Sequence, residues 1–126
     1  EFDVARLFAR GNPQMTAAEC AAYNAPFPDR GHRAALRAFP PMVPASGDAD
    51  GAATSRAARD FWRDRWQGRT FMAVGAQDPV LGPPVMRGLQ QLIRGCPEPL
   101  VIEQGGHFVQ EHGEPIAHAA VGYFQP

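Results

Sequence analysis

The chain has 126 residues, 44% of them hydrophobic and 20% charged, and a formal net charge of −1. This is the balance of a soluble globular domain with a real core, and it offers no basic surface for nucleic acid or an anionic membrane. No apolar run approaches the ~20 residues a membrane-crossing helix needs. The two cysteines, Cys20 and Cys96, make neither a disulfide framework nor a metal spacing. They read as reduced thiols in a cytoplasmic protein. Glu1, Phe2 and Asp3 have neither the basic start nor the apolar stretch of a secretory leader. The missing initiator Met suggests a chain cut from something longer.

Residues 1–46 read as short helices broken by proline. The first candidate covers 3–9 and ends at Gly11-Asn12-Pro13. Thr16 and Glu19 fit a capping box, in which hydroxyl and carboxylate cover free N–H groups, so a helix over 17–23 is expected. Pro26 and Pro28 push their neighbours away from helical geometry and mark a turn through Asp29. A third helix over 30–38 should stop at Phe39-Pro40-Pro41. Residues 44–54 are small and polar, the composition of a loop. Residues 55–67 read as an amphipathic helix with Ala58, Phe61, Trp62 and Trp66 on one face, and Gly68 as its stop.

The pattern then becomes strand, helix, strand, helix. Residues 70–75 (TFMAVG) form a continuous apolar run, as expected of a strand buried on both faces. A helix begins at Pro83-Pro84 and runs to Arg94, with Gly95 beyond it. Residues 100–103 (LVIE) are the next strand, and residues 114–124 the last helix, with Pro115 in its first turn.

Each strand leads into a polar loop, and in an open parallel sheet chemistry collects beyond the carboxyl ends of strands. The first loop carries Asp78 before Pro79, and the second carries His107 after Gly105-Gly106. Asp78 also suits a plain turn, and His107 a plain loop position. Together they follow the order acid, helix, strand, histidine, which is the chain order of an α/β-hydrolase triad. An acid and a histidine delivered in this way can serve as orienting carboxylate and general base. His32, His112 and His118 make no zinc spacing with one another or with His107. Trp62 and Trp66, at i and i+4, read as packing residues. No phosphate-binding glycine loop and no G-x-S-x-G elbow occurs.

These residues carry a family resemblance. The string at 22–29 (AYNAPFPD), Phe39-Pro40, Phe61-Trp62, residues 70–75 with 78–83 (DPVLGP), residues 95–99 (GCPEP) and residues 106–111 (GHFVQE) resemble the C-terminal part of haloalkane dehalogenases. The likeness covers nearly the whole chain and is tightest in the second half. It implies an α/β fold: residues 1–46 as the end of a helical cap, and residues 47–126 as the last two parallel strands of an α/β-hydrolase core with their helices.

The same resemblance implies a chemistry. An aspartate nucleophile displaces halide from carbon and leaves an alkyl–enzyme ester, which a histidine-activated water hydrolyses. By position His107 resembles that general base and Asp78 its partner. Phe39, Pro40, Val80 and Leu81 resemble apolar wall residues, which suit a ligand with little to hydrogen-bond. The expected partners are a small apolar halogenated substrate, water and the halide product. No metal or other cofactor and no nucleic acid or membrane is expected, and the full-length protein is expected to be a monomer. The nucleophile, the oxyanion-hole donors and both halide-gripping tryptophans belong to other segments of the family, and Trp62 and Trp66 match neither tryptophan. Gln104-Gly105 replaces the acid–small pair expected before Gly106-His107. An epoxide hydrolase or serine esterase would share this acid and base, although Tyr23, in its Ala-Tyr-x-Ala-Pro-Phe-Pro setting, favours the dehalogenase. Without the nucleophile the chain alone is expected to be inactive, and its open strand edge and apolar faces to make it aggregation-prone.

Overall fold

The computed structural model describes residues 2–126; Glu1, part of the stretch read for a leader, lies outside them. The chain forms two compact units, residues 1–59 and 60–126.

The first unit is helical. Helix α1 spans Val4–Gly11, and the Asp3 carboxylate caps it by accepting the Arg6 N–H at 3.2 Å. Helix α2 spans Ala17–Asn24 and starts with the expected capping box: the Glu19 N–H donates to the Thr16 hydroxyl at 3.3 Å, and the Thr16 N–H to the Glu19 carboxylate at 2.7 Å. The two helices pack through Phe8 and Tyr23, whose rings stack at 3.7 Å. Val4, Phe8, Cys20 and the end cap Asn12 are buried.

The third helix is shorter than expected. Helix α3 covers only Ala34–Ala38, because the Asp29 carboxylate takes both the backbone N–H and the ring Nδ1 of His32, at 3.0 and 2.8 Å. That local bond holds residues 30–33 in turns, which compete with helix. A 3₁₀ turn over Pro40–Met42 follows. Helix α4 spans Ala52–Asp64 and is displaced toward the N-terminus of its expected range. Ala52 and Ala53 are strong helix formers that the loop composition concealed. At the other end, the N–H groups of Arg65 and Trp66 both reach the Phe61 carbonyl at 2.9 Å, and the Trp66 indole N–H donates to the Thr70 hydroxyl at 2.9 Å. Gly68 therefore lies beyond the helix and serves a different purpose from a helix stop. A side chain there would collide with the Trp66 ring.

The second unit holds the sheet. Strand β1 (Ala73–Gly75) runs parallel to β2 (Leu100–Ile102), with Ala73 opposite Leu100, Val74 opposite Val101 and Gly75 opposite Ile102. Helix α5 (Pro83–Leu92) connects them, and α6 (Gly113–Phe124) follows a 3₁₀ turn over Val109–His112. Pairing starts no earlier than Met72, whose carbonyl accepts the Leu100 N–H at 2.9 Å. The residues before it hold the last helix. The Arg69 guanidinium lies 4.6 Å from the Tyr123 ring centre and bonds the Tyr123 carbonyl, while Phe71 packs on the same ring at 5.9 Å. Met72, Val74 and Cys96 are buried, whereas Val85, Leu89, Val101, Val121 and Phe124 are exposed. Among the described residues no helix is long and apolar enough to cross a membrane.

Candidate active site

The carboxyl ends of the two strands are drawn together by backbone contact. The Ala76 N–H continues the ladder to the Ile102 carbonyl, and the Gln77 N–H reaches the Gly105 carbonyl, both at 2.9 Å. A Cβ on Gly75 would lie 2.6 Å from the Gly106 carbonyl oxygen, and one on Gly105 would lie 3.1 Å from the Gly75 Cα. Gly75 is thus required for close approach of the two backbones, and Gly105 sits tightly against it and the Ile102 side chain. A left-handed conformation is not the reason, since among the described residues positive φ at glycine occurs only at Gly51 and Gly95.

This clasp presents Asp78 and His107 to each other. His107 Nδ1 lies 3.1 Å from both carboxylate oxygens of Asp78. The Asp78 side chain is 9% exposed and that of His107 41% exposed. The turn role and the pairing role of Asp78 coexist, because Oδ1 also accepts the N–H groups of Val80 at 2.8 Å and Leu81 at 3.0 Å. Burial raises the Asp78 pKa, but the amides of Leu81 and Val80 and the imidazole outweigh it and leave the carboxyl below its ordinary value. A carboxylate can only accept, so Nδ1 carries the proton and Nε2 the lone pair. The arrangement can hold a neutral imidazole in one tautomer and stabilise it once it takes a proton at Nε2.

Asp78, Leu81 and His107 line a cleft of about 180 Å³, together with Val74, Met86 and Val109. Val80 sits in the same loop as Leu81 and is 59% exposed. Phe39 and Pro40 lie in the first unit, where α3 meets the 3₁₀ turn, and Phe39 is 65% exposed. The residue that sequence reading passed over is Gln77. Its side-chain amide donates to the Glu103 carbonyl at 3.1 Å, across to the loop that carries His107. Its place beside Asp78 was the only signal available. Burial, then the charge of Glu98, pushes the Cys96 thiol up, which keeps it protonated and unsuited to nucleophilic work. Among the described residues no group of three or more His, Cys, Asp or Glu side chains is placed to hold a metal.

A parallel strand pair that delivers a carboxylate and a histidine past its carboxyl ends, in this chain order, is part of an α/β-hydrolase. No protein-family model matches the chain. Individual proteins do. The haloalkane dehalogenase of Mycobacterium marinum is 35% identical over 133 aligned positions, which include 90% of this chain and 43% of that protein. Haloalkane dehalogenase 1 of Mycobacterium bovis is 33% identical over 87% of this chain and 41% of its own length. The tetrameric haloalkane dehalogenase DpaA of Paraglaciecola agarilytica NO2 is 40% identical and matches with a TM-score of 0.92, over 99% of this chain and 42% of that one. The chain is a homologue of the haloalkane dehalogenases, and it spans about two-fifths of the length of the relatives it matches.

Proposed function

We propose that this chain is the C-terminal portion of a haloalkane dehalogenase and supplies the acid–base half of its active site. The observation that carries the reading is the Asp78–His107 pair, 3.1 Å apart beyond two parallel strands, in a chain 33–40% identical to proteins of that activity. In this reading an aspartate outside the chain displaces halide from an alkyl carbon and forms an ester. Water then enters beside His107. Nε2 removes a proton from it as the oxygen attacks the ester carbonyl, and Asp78 stabilises the imidazolium that results. The bond between the ester carbonyl carbon and the alkoxy oxygen breaks, the alcohol departs with a proton, the aspartate carboxylate is restored on the enzyme, and the proton left over passes from the imidazolium to solvent.

The wall assigned to the substrate is apolar. Leu81 supports this as a lining residue of the cleft. Val80, Phe39 and Pro40 complete the wall by their likeness to the family. Residues 1–46 are then cap and residues 47–126 core. The partners are a small haloalkane, water and halide. The buried free thiols of Cys20 and Cys96 suit a cytoplasmic setting. The chain alone, without a nucleophile, is expected to show no turnover.

The test is His107→Ala in the complete natural protein. Halide release should stop after one equivalent, and intact-mass spectrometry should find the alkyl group retained on the enzyme. Steady turnover at the wild-type rate would remove His107 from the role of base.

A further inference from the structure

The sheet ends at Gly75 opposite Ile102, yet the acid and the histidine lie farther along their loops. Something must keep the loops in step after the ladder stops. The Ala76 N–H makes the last ladder bond, to the Ile102 carbonyl. The Gln77 N–H then skips ahead to the Gly105 carbonyl, while the Gly105 N–H folds back to the Ile102 carbonyl at 2.9 Å. The Glu103 carbonyl, on the strand end that leads to His107, receives the Gln77 side-chain amide at 3.1 Å. One residue therefore grips the histidine loop at two carbonyls, 103 and 105, and the next residue in the chain is Asp78.

We propose that Gln77 is a positioning residue, whose side chain bridges the strand ends and fixes the approach of Asp78 to His107. This deepens the acid–base reading above and rests on it. The chemistry of the position selects glutamine. A carbonyl acceptor needs a donor, which leucine lacks and a glutamate carboxylate also lacks. Glutamate would add a second negative charge one residue from Asp78 and compete for the imidazole. The Gln77 side chain is exposed, so its bond adds little to folding, and its worth lies in geometry. Displacing a catalytic group by about 1 Å can cost on the order of 100-fold in rate.

The experiment uses the complete natural protein with Gln77→Leu, Gln77→Glu and Gln77→Lys, the last of which restores a donor. Turnover of a haloalkane, melting temperature and the proton NMR signal of His107 Nδ1–H are measured for each. Gln77→Leu and Gln77→Glu should lower kcat roughly tenfold with KM unchanged, within the range set by small misplacements. They should also broaden the Nδ1–H signal through faster exchange with water. Gln77→Lys should recover much of both. A Leu variant with wild-type kcat and an unchanged signal would overturn the proposal. So would equal losses in the Leu and Lys variants that track a lowered melting temperature, since that marks a general stabilising role. If the unaltered protein releases no halide, the dehalogenase reading fails by itself. The Nδ1–H comparison then decides the role of Gln77 independently.

Discussion

The two units are held by bonds of different reach. In the first, the contacts that cap and end helices span three residues, Asp3 to Arg6, Thr16 to Glu19 and Asp29 to His32, and the Val4 N–H reaches across to the Asn24 side chain at 3.3 Å. In the second, polar contacts cross long stretches of chain: Gln77 to Glu103, Asp78 to His107, Arg69 to Tyr123. Local bonds begin and end helices, and each can form before the rest of the fold exists. Long-range bonds form only once the strands have met. A site that must bring an acid to a base depends on the second kind, and two of these bonds, Gln77 to Glu103 and Asp78 to His107, lie at the candidate active site.

Breaking a long-range bond should therefore damage chemistry first, and breaking a local bond should damage stability alone. The largest effect is expected from Asp78→Asn. Asparagine can present an N–H to the imidazole and favour the wrong tautomer, so turnover in the complete protein should fall on the order of 10⁴-fold, as seen when a triad acid is amidated. The same substitution should flatten the acid limb of stability. The folded pKa of Asp78 lies below its ordinary value, so its contribution is fully present above about pH 4 and disappears as pH falls through the lowered value. Acid titration of unfolding should thus be shallower in the variant than in the wild type.

Gly75→Ala should come next. Its methyl group would meet the Gly106 carbonyl oxygen, a backbone atom that cannot swing aside, so the strand ends must separate. A loss of about 1–3 kcal/mol is expected, as for overpacking elsewhere. A fall in kcat larger than that stability loss explains would mark the clasp as part of the site. Denaturant melts alongside steady-state kinetics make the comparison. Thr16→Ala should have the smallest effect, about 1 kcal/mol from the lost cap, with kcat within about twofold of wild type. A large loss of kcat in this variant would erase the contrast between local and long-range contacts.

The same contrast explains what was legible in the sequence. The capping box at Thr16 and Glu19 could be read because both partners share one turn of helix. Asp78 and His107 could be read because each follows an apolar run, and their order in the chain matched a known triad. The length of the third helix was misjudged because only the fold shows the Asp29 carboxylate gripping His32 and holding the residues beyond it in turns. The fourth helix was misplaced because Trp66, well spaced for its apolar face, turns out of it to reach Thr70. Gly68 and Gly75 could be seen as glycines, but the atoms that exclude a side chain come from another segment or from a ring folded back on the chain. Gln77 was hidden for a related reason: its acceptor lies 26 residues farther along.

The aromatic cluster at the end of α4 also makes the chain report on itself. Trp62 and Trp66, the two tryptophans of the sequence, have ring centres 4.8 Å apart, and Phe61 sits against both. Indole transitions that close together couple, so the near-ultraviolet circular dichroism of this segment should carry a paired signal from one place. Its tryptophan fluorescence likewise follows the segment at 61–66, and a tryptophan-detected melt of the chain is a melt of that segment.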